Sequence, residues 1–186
     1  GADGNDLADL ARPFAMRFPG MAFFVPNGPD RCKLNPAGRE WFDIDDRVNG
    51  PDYAAPVIQT AITALLTDLR LSGSALILAG FSQGGMMSLH CGLRLNPAPA
   101  AIVSFSGALL RHDDLSASGS TPYPPVQLLH GSDDQVVPCA LMHEAARILS
   151  PLGVAVETVE RPGLAHGIDP DGLTASINFL AAHITD

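Results

Sequence analysis

Residues 74–85 read SALILAGFSQGG, an apolar run that changes within a few positions to a glycine-rich turn. The run at 74–80 is typical of a buried β-strand, and a helical pattern follows from Gly84 to Leu95. Gly80-Phe81-Ser82-Gln83-Gly84 therefore lies between a strand and a helix, the context in which the pattern G-x-S-x-G presents a serine hydroxyl above the edge of a sheet. The alternative is a glycine-rich turn that contains an incidental serine.

Further apolar runs alternate with helical patterns along the rest of the chain. Near-continuous apolar strands of this kind are buried on both faces, as in a parallel sheet covered by helices. The alternation predicts an α/β protein with a mostly parallel sheet flanked by helices. Two loops rich in turn-forming residues, 26–51 and 111–125, are candidates for a substrate lid. The predicted strands are 21–26, 74–80, 100–107, 125–131 and 154–160, and the predicted helices are 6–17, 53–71, 84–95, 140–152 and 172–183.

The composition excludes several classes of partner. A chain of 186 residues, 46% of them hydrophobic, can bury one core of ordinary size, so we expect a single domain over residues 1–186. With 20 acidic and 11 basic residues the net charge is −9, and no basic cluster is present to follow a nucleic-acid backbone. No apolar run approaches the roughly 18 to 20 residues that span a bilayer, and no signal peptide is evident, which predicts a cytoplasmic protein.

The three cysteines give no sign of a metal or redox site. Cys32, Cys91 and Cys139 are an odd number at wide spacings, without a CxxC pair. Neither an HExxH motif nor a glycine-rich phosphate loop is present. We therefore expect free thiols, no bound metal and no organic cofactor.

A serine hydroxyl needs a base to remove its proton, and that base needs a carboxylate to orient it. In this architecture the expected chain order is Ser, then Asp or Glu, then His. HGSDDQVVP at 130–138 supplies two acids after a strand, Asp133 and Asp134, and spacing alone does not separate them. RPGLAHGID at 161–169 supplies His166 after the last strand. The other histidines lie in helical patterns, in a polar loop or too close to the acids: His90, His143, His183, His112 and His130.

Taken together, GFSQGG, LLHGSDDQVVP and GLAHG resemble the phospholipase/carboxylesterase family of α/β-hydrolases, which includes bacterial carboxylesterases and acyl-protein thioesterases. GADGNDL at 1–7 is similar to the family segment after its first H-G-x motif. FVPNGP at 24–29 is similar to its P-N-A-P segment, and GREWFDID at 38–45 to its W-F-D lid region. The resemblance extends through nearly the whole chain and implies the α/β-hydrolase fold.

The same resemblance implies a role for individual residues. It makes Ser82 the nucleophile and His166 the base, and it selects Asp134 as the acid because the family motif H-G-x-x-D-x-x-V-P carries the acid in its fifth place. The backbone N–H of Gln83, at the start of a helix, would stabilise an oxyanion. An acyl-binding groove would be bordered by Trp41, Phe42 and Ile44, although Trp41 and Phe42 could instead anchor a long loop to the core.

These roles imply a serine hydrolase that cleaves small-molecule carboxylic esters of short to medium acyl chain through an acyl-enzyme. An acyl thioesterase or a lysophospholipase with the same triad is an alternative, as is a non-catalytic binding protein of the same fold. Dimers are common in families of this kind, so a homodimer is a further expectation.

The resemblance also bears on the start of the chain. In the family, a strand ending in H-G-x precedes the segment that GADGNDL resembles, and its last residue donates a second oxyanion-hole N–H. We therefore expect an N-terminally truncated domain that lacks its first strand or strands, with the absent strand in the middle of the sheet, between residues 22–25 and 75–79.

Overall fold

The computed structural model describes residues 8–33, 35–117 and 122–184. Contacts group the chain into two compact units, Gly1–Ala54 and Ala55–Asp186. In the first unit lie helix α1 (Ala11–Arg17) and an antiparallel pair of short strands, β1 (Asp30–Arg31) and β2 (Arg39–Glu40), and there helix α2 (Gly50–Leu69) begins. One domain over residues 1–186 stays a prediction.

Residues 21–26 do not form the predicted strand. Phe23, Phe24 and Val25 are 40%, 53% and 36% exposed, whereas a core strand would bury them. A strand needs a neighbour to satisfy its backbone N–H and C=O groups, and no described residue pairs with this run. The prediction is therefore wrong for the described chain. The helix predicted over 6–17 corresponds to α1, and residues 6 and 7 lie outside the described residues.

The second unit contains a four-stranded parallel sheet in the order β3-β4-β5-β6. Ile77 pairs with Ala101, Ile102 with Val126, and Val126 with Val156. The predicted α/β class, its parallel sheet and four of its five strands are confirmed. The elements are β3 (Ile77–Phe81), α3 (Gln83–Gly92), β4 (Ala101–Phe105), β5 (Val126–Gly131), α4 (Ala140–Leu149), β6 (Val156–Arg161) and α5 (Pro170–His183).

Burial across this sheet follows the sequence pattern. Every residue of β4 and β5 is buried, which explains their continuous apolar runs, whereas β3 and β6 are edge strands with partly exposed residues. No described strand pairs with the outer edge of β3. Helix α3 packs on β3 and β4, α4 on β5 and β6, and α5 on β4, β5 and β6. The main core cluster comprises Leu89, Leu93, Ile102, Val126, Leu128, Met142, Ala145, Leu149 and Val154.

The turn between β3 and α3 consists of Ser82, whose backbone is held at φ 54° and ψ −119°. A non-glycine residue in this region is strained by about 1–3 kcal/mol, so the surroundings must hold it there. The Ser82 N–H donates to the Phe105 carbonyl oxygen at 2.8 Å, which fastens the turn to β4. Gly80 allows the first turn of α3 to approach β3, because a Cβ atom there would lie 2.2 Å from the carbonyl carbon and oxygen of Gly84.

Substituting Gly80→Ala should destabilise the fold by about 1–3 kcal/mol, because the new methyl group can be accommodated only by moving the helix backbone. Gly84→Ala is the matched control, since an added Cβ there meets no neighbouring atom within 4 Å. Urea unfolding followed by circular dichroism measures both variants. Equal stabilities for the two variants would contradict the close approach at Gly80.

Candidate active site

Three polar side chains meet where strands of the parallel sheet end. Ser82 follows β3, Asp134 lies in the loop after β5, and His166 lies in the loop after β6. The Nε2 atom of His166 is 3.0 Å from the Ser82 Oγ atom, and its Nδ1 atom is 2.7 Å from the Asp134 Oδ2 atom. The carboxyl ends of strands in open α/β sheets are where ligands bind. The structure therefore joins the three predicted residues in one hydrogen-bonded chain.

The Asp134 carboxylate is fully buried, and each of its oxygens has a partner. Its Oδ1 atom accepts hydrogen bonds from the backbone N–H groups of Val136 at 2.9 Å and Val137 at 2.8 Å, and its Oδ2 atom accepts from His166 Nδ1–H. Burial acts to raise the pKa of Asp134, but the hydrogen bonds from His166, Val137 and Val136 outweigh it and hold the pKa below its ordinary value. The carboxylate is thus kept ionised beside the imidazole.

The neighbouring acid, Asp133, is placed differently. It is exposed, and its Oδ1 atom accepts a hydrogen bond from the Ser132 hydroxyl at 2.8 Å. Its backbone N–H donates to the Leu164 carbonyl oxygen, which ties this loop to the one that carries His166. The structure therefore distinguishes the two acids, which spacing alone does not: Asp134 contacts His166, whereas Asp133 is exposed.

His130 contacts the loop that carries Asp134, and the sequence analysis does not predict this contact. Its side chain is 1% exposed, and its Nε2–H donates to the Val137 carbonyl oxygen at 2.7 Å while lying 3.3 Å from the Asp134 Oδ2 atom. The imidazole thereby links the end of β5 to the far side of the Asp134 loop. His130 lies only four residues before Asp134, which argues against a role as the base. The same short spacing is consistent with a contact that supports the Asp134 loop.

The loop that carries His166 is fixed at both ends. The middle of the loop passes close to Gly131, the last residue of β5, where a Cβ atom would lie 2.1 Å from the Leu164 carbonyl oxygen. Arg161, the last residue of β6, forms ion pairs with Asp169 at the other end of the loop and with Asp171, and Asp169 caps α5 by accepting from the Gly172 N–H. The Arg161 hydrogen bond lowers the pKa of Asp169 further than burial raises it.

The imidazole of His166 also packs against an aromatic side chain. The rings of Phe81 and His166 have centroids 4.7 Å apart and are tilted by 42°. Because Phe81 ends β3 directly before Ser82, this contact holds the ring beside the hydroxyl. The His166 side chain remains 18% exposed, so the chain of hydrogen bonds opens to solvent at its serine end.

The other predicted site residues occupy separate positions. Gln83 is the first residue of α3, so its N–H lies at the positive end of that helix. In the first unit, Phe42 is 1% exposed, and a Cβ atom at Gly50 would clash with its ring, whereas Trp41 and Ile44 are half-buried. A groove of about 490 Å³ in that unit is lined by nine residues, six of which carry a charged side chain. Its lining is Asp30, Arg31, Lys33, Glu40, Phe42, Asp43, Asp46, Gly50 and Tyr53.

The histidines set aside as bases lie elsewhere in the described chain. His90 is buried within α3, and His143 on α4 pairs with Glu160. His183 Nδ1–H donates to the Phe179 carbonyl oxygen near the end of α5. Among the described residues, no helix is long and apolar enough to cross a bilayer.

The sequence and the structure both match known proteins. The family model described as phospholipase/carboxylesterase matches residues 1–184. Acyl-protein thioesterase 1 of Gibberella zeae is 34% identical over an alignment that covers 86% of this chain and 76% of the relative. Esterase YpfH of Escherichia coli is 29% identical over 94% of this chain and 75% of its own length. The crystal structure of esterase PE8 superposes with a TM-score of 0.92 at 37% identity, over 99% of this chain and 88% of that one.

The buried Asp134 should give the protein a measurable acid sensitivity. Because the folded state lowers the pKa of this carboxyl, its stabilising effect is complete above the unfolded pKa of about 3.9 and is lost as the pH falls through the folded pKa. Asp134→Asn should therefore lose less stability than the wild type between about pH 6 and pH 2, as measured by urea unfolding at each pH. Asp133→Asn should keep the wild-type dependence of stability on pH. If the free energy of unfolding falls in parallel with pH in all three proteins, Asp134 is not the source of the acid sensitivity.

Proposed function

The chain belongs to the phospholipase/carboxylesterase family, and we propose that it is a serine hydrolase that cleaves carboxylic esters of short to medium acyl chain. The observation that carries the proposal is the hydrogen-bonded chain from the Ser82 hydroxyl through the His166 imidazole to the buried Asp134 carboxylate. Such a chain supplies a nucleophile, a general base and an orienting acid in contact with one another.

In the proposed reaction, Ser82 Oγ attacks the ester carbonyl carbon while His166 Nε2 takes the hydroxyl proton. Asp134 accepts from Nδ1–H throughout, which keeps Nε2 free to act as the base and stabilises the imidazolium that forms. When the tetrahedral intermediate collapses, the C–O bond to the alcohol breaks and His166 returns its proton to the leaving oxygen. Water then attacks the acyl-enzyme by the same route and releases the carboxylic acid.

The intermediate carries a negative charge on the former carbonyl oxygen. We assign the backbone N–H of Gln83 as one donor to this oxyanion, because it is the N–H of the residue after the nucleophile and lies at the start of α3. A preorganised donor of this kind is typically worth about 10²- to 10³-fold in turnover. The assignment of Trp41, Phe42 and Ile44 to an acyl-binding surface likewise remains a proposal, with Phe42 packed as an anchor within its own unit.

A thioester substrate is the second candidate, favoured by the similarity to a relative named acyl-protein thioesterase 1. The same acyl-enzyme serves oxygen and sulfur leaving groups, and lysophospholipids present an ester to the same attack. Matched acyl esters and thioesters from two to eight carbons, together with a lysophospholipid, separate these candidates by kcat/KM. A homodimer, a cytoplasmic location and the lack of nucleic-acid binding stay predictions from the sequence.

Replacing each of the two adjacent aspartates in turn should show that catalysis depends on Asp134 and not on Asp133. Asp134→Asn should lower kcat for p-nitrophenyl butyrate by about 10⁴-fold, because the amide favours the wrong imidazole tautomer. Ser82→Ala should lose about 10⁶-fold, since the nucleophile is gone. Asp133→Asn is the matched control one residue away and should keep kcat within about threefold, because Asp133 lies outside the hydrogen-bonded chain.

Each outcome bears on a different part of the proposal. Equal losses for the two aspartate variants would remove Asp134 from the mechanism. If the wild type is folded but hydrolyses neither esters nor thioesters, the non-catalytic binding protein becomes the better interpretation.

A further inference from the structure

A second cluster of reactive side chains lies beside the loop that carries Asp134. Cys139 and His143 are four residues apart at the start of α4, and Glu160 lies on β6, against which α4 packs. One ligand atom from each residue, the Cys139 sulfur, a His143 ring nitrogen and a Glu160 carboxylate oxygen, lies within 4.8 Å of the other two. The triad does not use any of these three side chains.

The helix explains why two of the ligands converge. Residues four apart lie on one face of a helix, so the Cys139 thiol and the His143 imidazole project from the same side of α4. The third ligand comes from the neighbouring strand, where the Glu160 Oε2 atom is 3.0 Å from the His143 Nε2 atom. The packing of α4 on β6 therefore brings the third ligand next to the two ligands at the start of α4.

The spacing fits a small divalent cation. Bonds of about 2.0–2.2 Å from Zn²⁺ to nitrogen and oxygen place two tetrahedral ligand atoms roughly 3.3–3.6 Å apart. The 3.0 Å between His143 Nε2 and Glu160 Oε2 is a few tenths of an ångström shorter, and both side chains are about half exposed, so small rotations can open the pair around an ion. Three protein ligands leave the fourth tetrahedral position for water.

The electrostatic surroundings favour a cation. The Glu160 carboxylate has an oxygen within 4.8 Å of the Cys139 sulfur, so an acidic group lies beside the thiol. A metal ion binds cysteine as the thiolate and displaces the thiol proton, which makes the affinity pH-dependent.

We propose that Cys139, His143 and Glu160 bind one Zn²⁺ ion per chain. The ligand types support this choice, because thiolate and imidazole together select zinc over magnesium or calcium. The site is separate from the proposed hydrolysis, which uses Ser82, His166 and Asp134. Bound zinc would fasten the start of α4 to β6, next to the loop that holds Asp134.

Metal titrations of the untagged protein under reducing, chelator-free conditions test the proposal. Calorimetry with Zn²⁺ should give saturable binding at one ion per chain, tighter at higher pH because the thiol proton is released. With Cd²⁺ as a spectroscopic substitute, an ultraviolet cadmium–thiolate band should appear in the wild type and be lost in Cys139→Ser. Absence of one-to-one binding would overturn the proposal.

Two substitutions at exposed positions distinguish a three-ligand site from a lone thiol. Loss of an outer-shell partner already weakens metal sites by about 10- to 100-fold, so His143→Ala and Glu160→Gln should each raise the Kd for Zn²⁺ at least about tenfold. The matched control is Glu144→Gln, which makes the same charge change as Glu160→Gln at the exposed position next to His143 on α4. It should leave the Kd for Zn²⁺ within about twofold. An unchanged Kd in both His143→Ala and Glu160→Gln would overturn the proposal, and these variants decide the matter even if Cys139→Ser fails to fold.

Discussion

The strained turn at Ser82 is the constraint on which the site depends. A serine at φ 54° is held by its hydrogen bond to Phe105 on β4 and by the close approach of α3 that Gly80 permits. The turn does two things at once: it lifts the hydroxyl above the end of β3, and it starts a helix whose first N–H groups lie beside that hydroxyl. Local strain of this kind persists only where the surrounding sheet and helix fix it.

The Asp134 loop is the second fixed part, and its rigidity comes from polar contacts. Val136 and Val137 donate their backbone N–H groups to the carboxylate, while His130 bridges the loop by donating to Val137. A buried carboxylate is costly unless it is paired and hydrogen-bonded, so these contacts are a condition for placing a charge there. The loop leads directly into α4, so Cys139, the residue before that helix, follows Asp134 by five positions.

Much of this arrangement is predictable from sequence, for reasons that differ between elements. Strands β4 and β5 are buried on both faces, and their apolar runs predict them to within about two residues. Residues 21–26 are equally apolar but form no strand, because composition does not reveal whether a strand has a neighbour to pair with. The order of Ser82, Asp134 and His166 follows from the motifs, whereas the contacts of His130 and the approach of Glu160 to α4 arise only from tertiary packing.

The proposed hydrolysis requires that the hydroxyl of Ser82 is activated by its neighbours. The most direct measurement is fluorophosphonate labelling of the folded protein, followed by proteolysis and mass spectrometry to locate the adduct. An ordinary serine does not react, so we expect one adduct per chain, on the peptide that contains Ser82. An adduct on another residue, or no adduct in a protein whose folding is verified by circular dichroism, would contradict it.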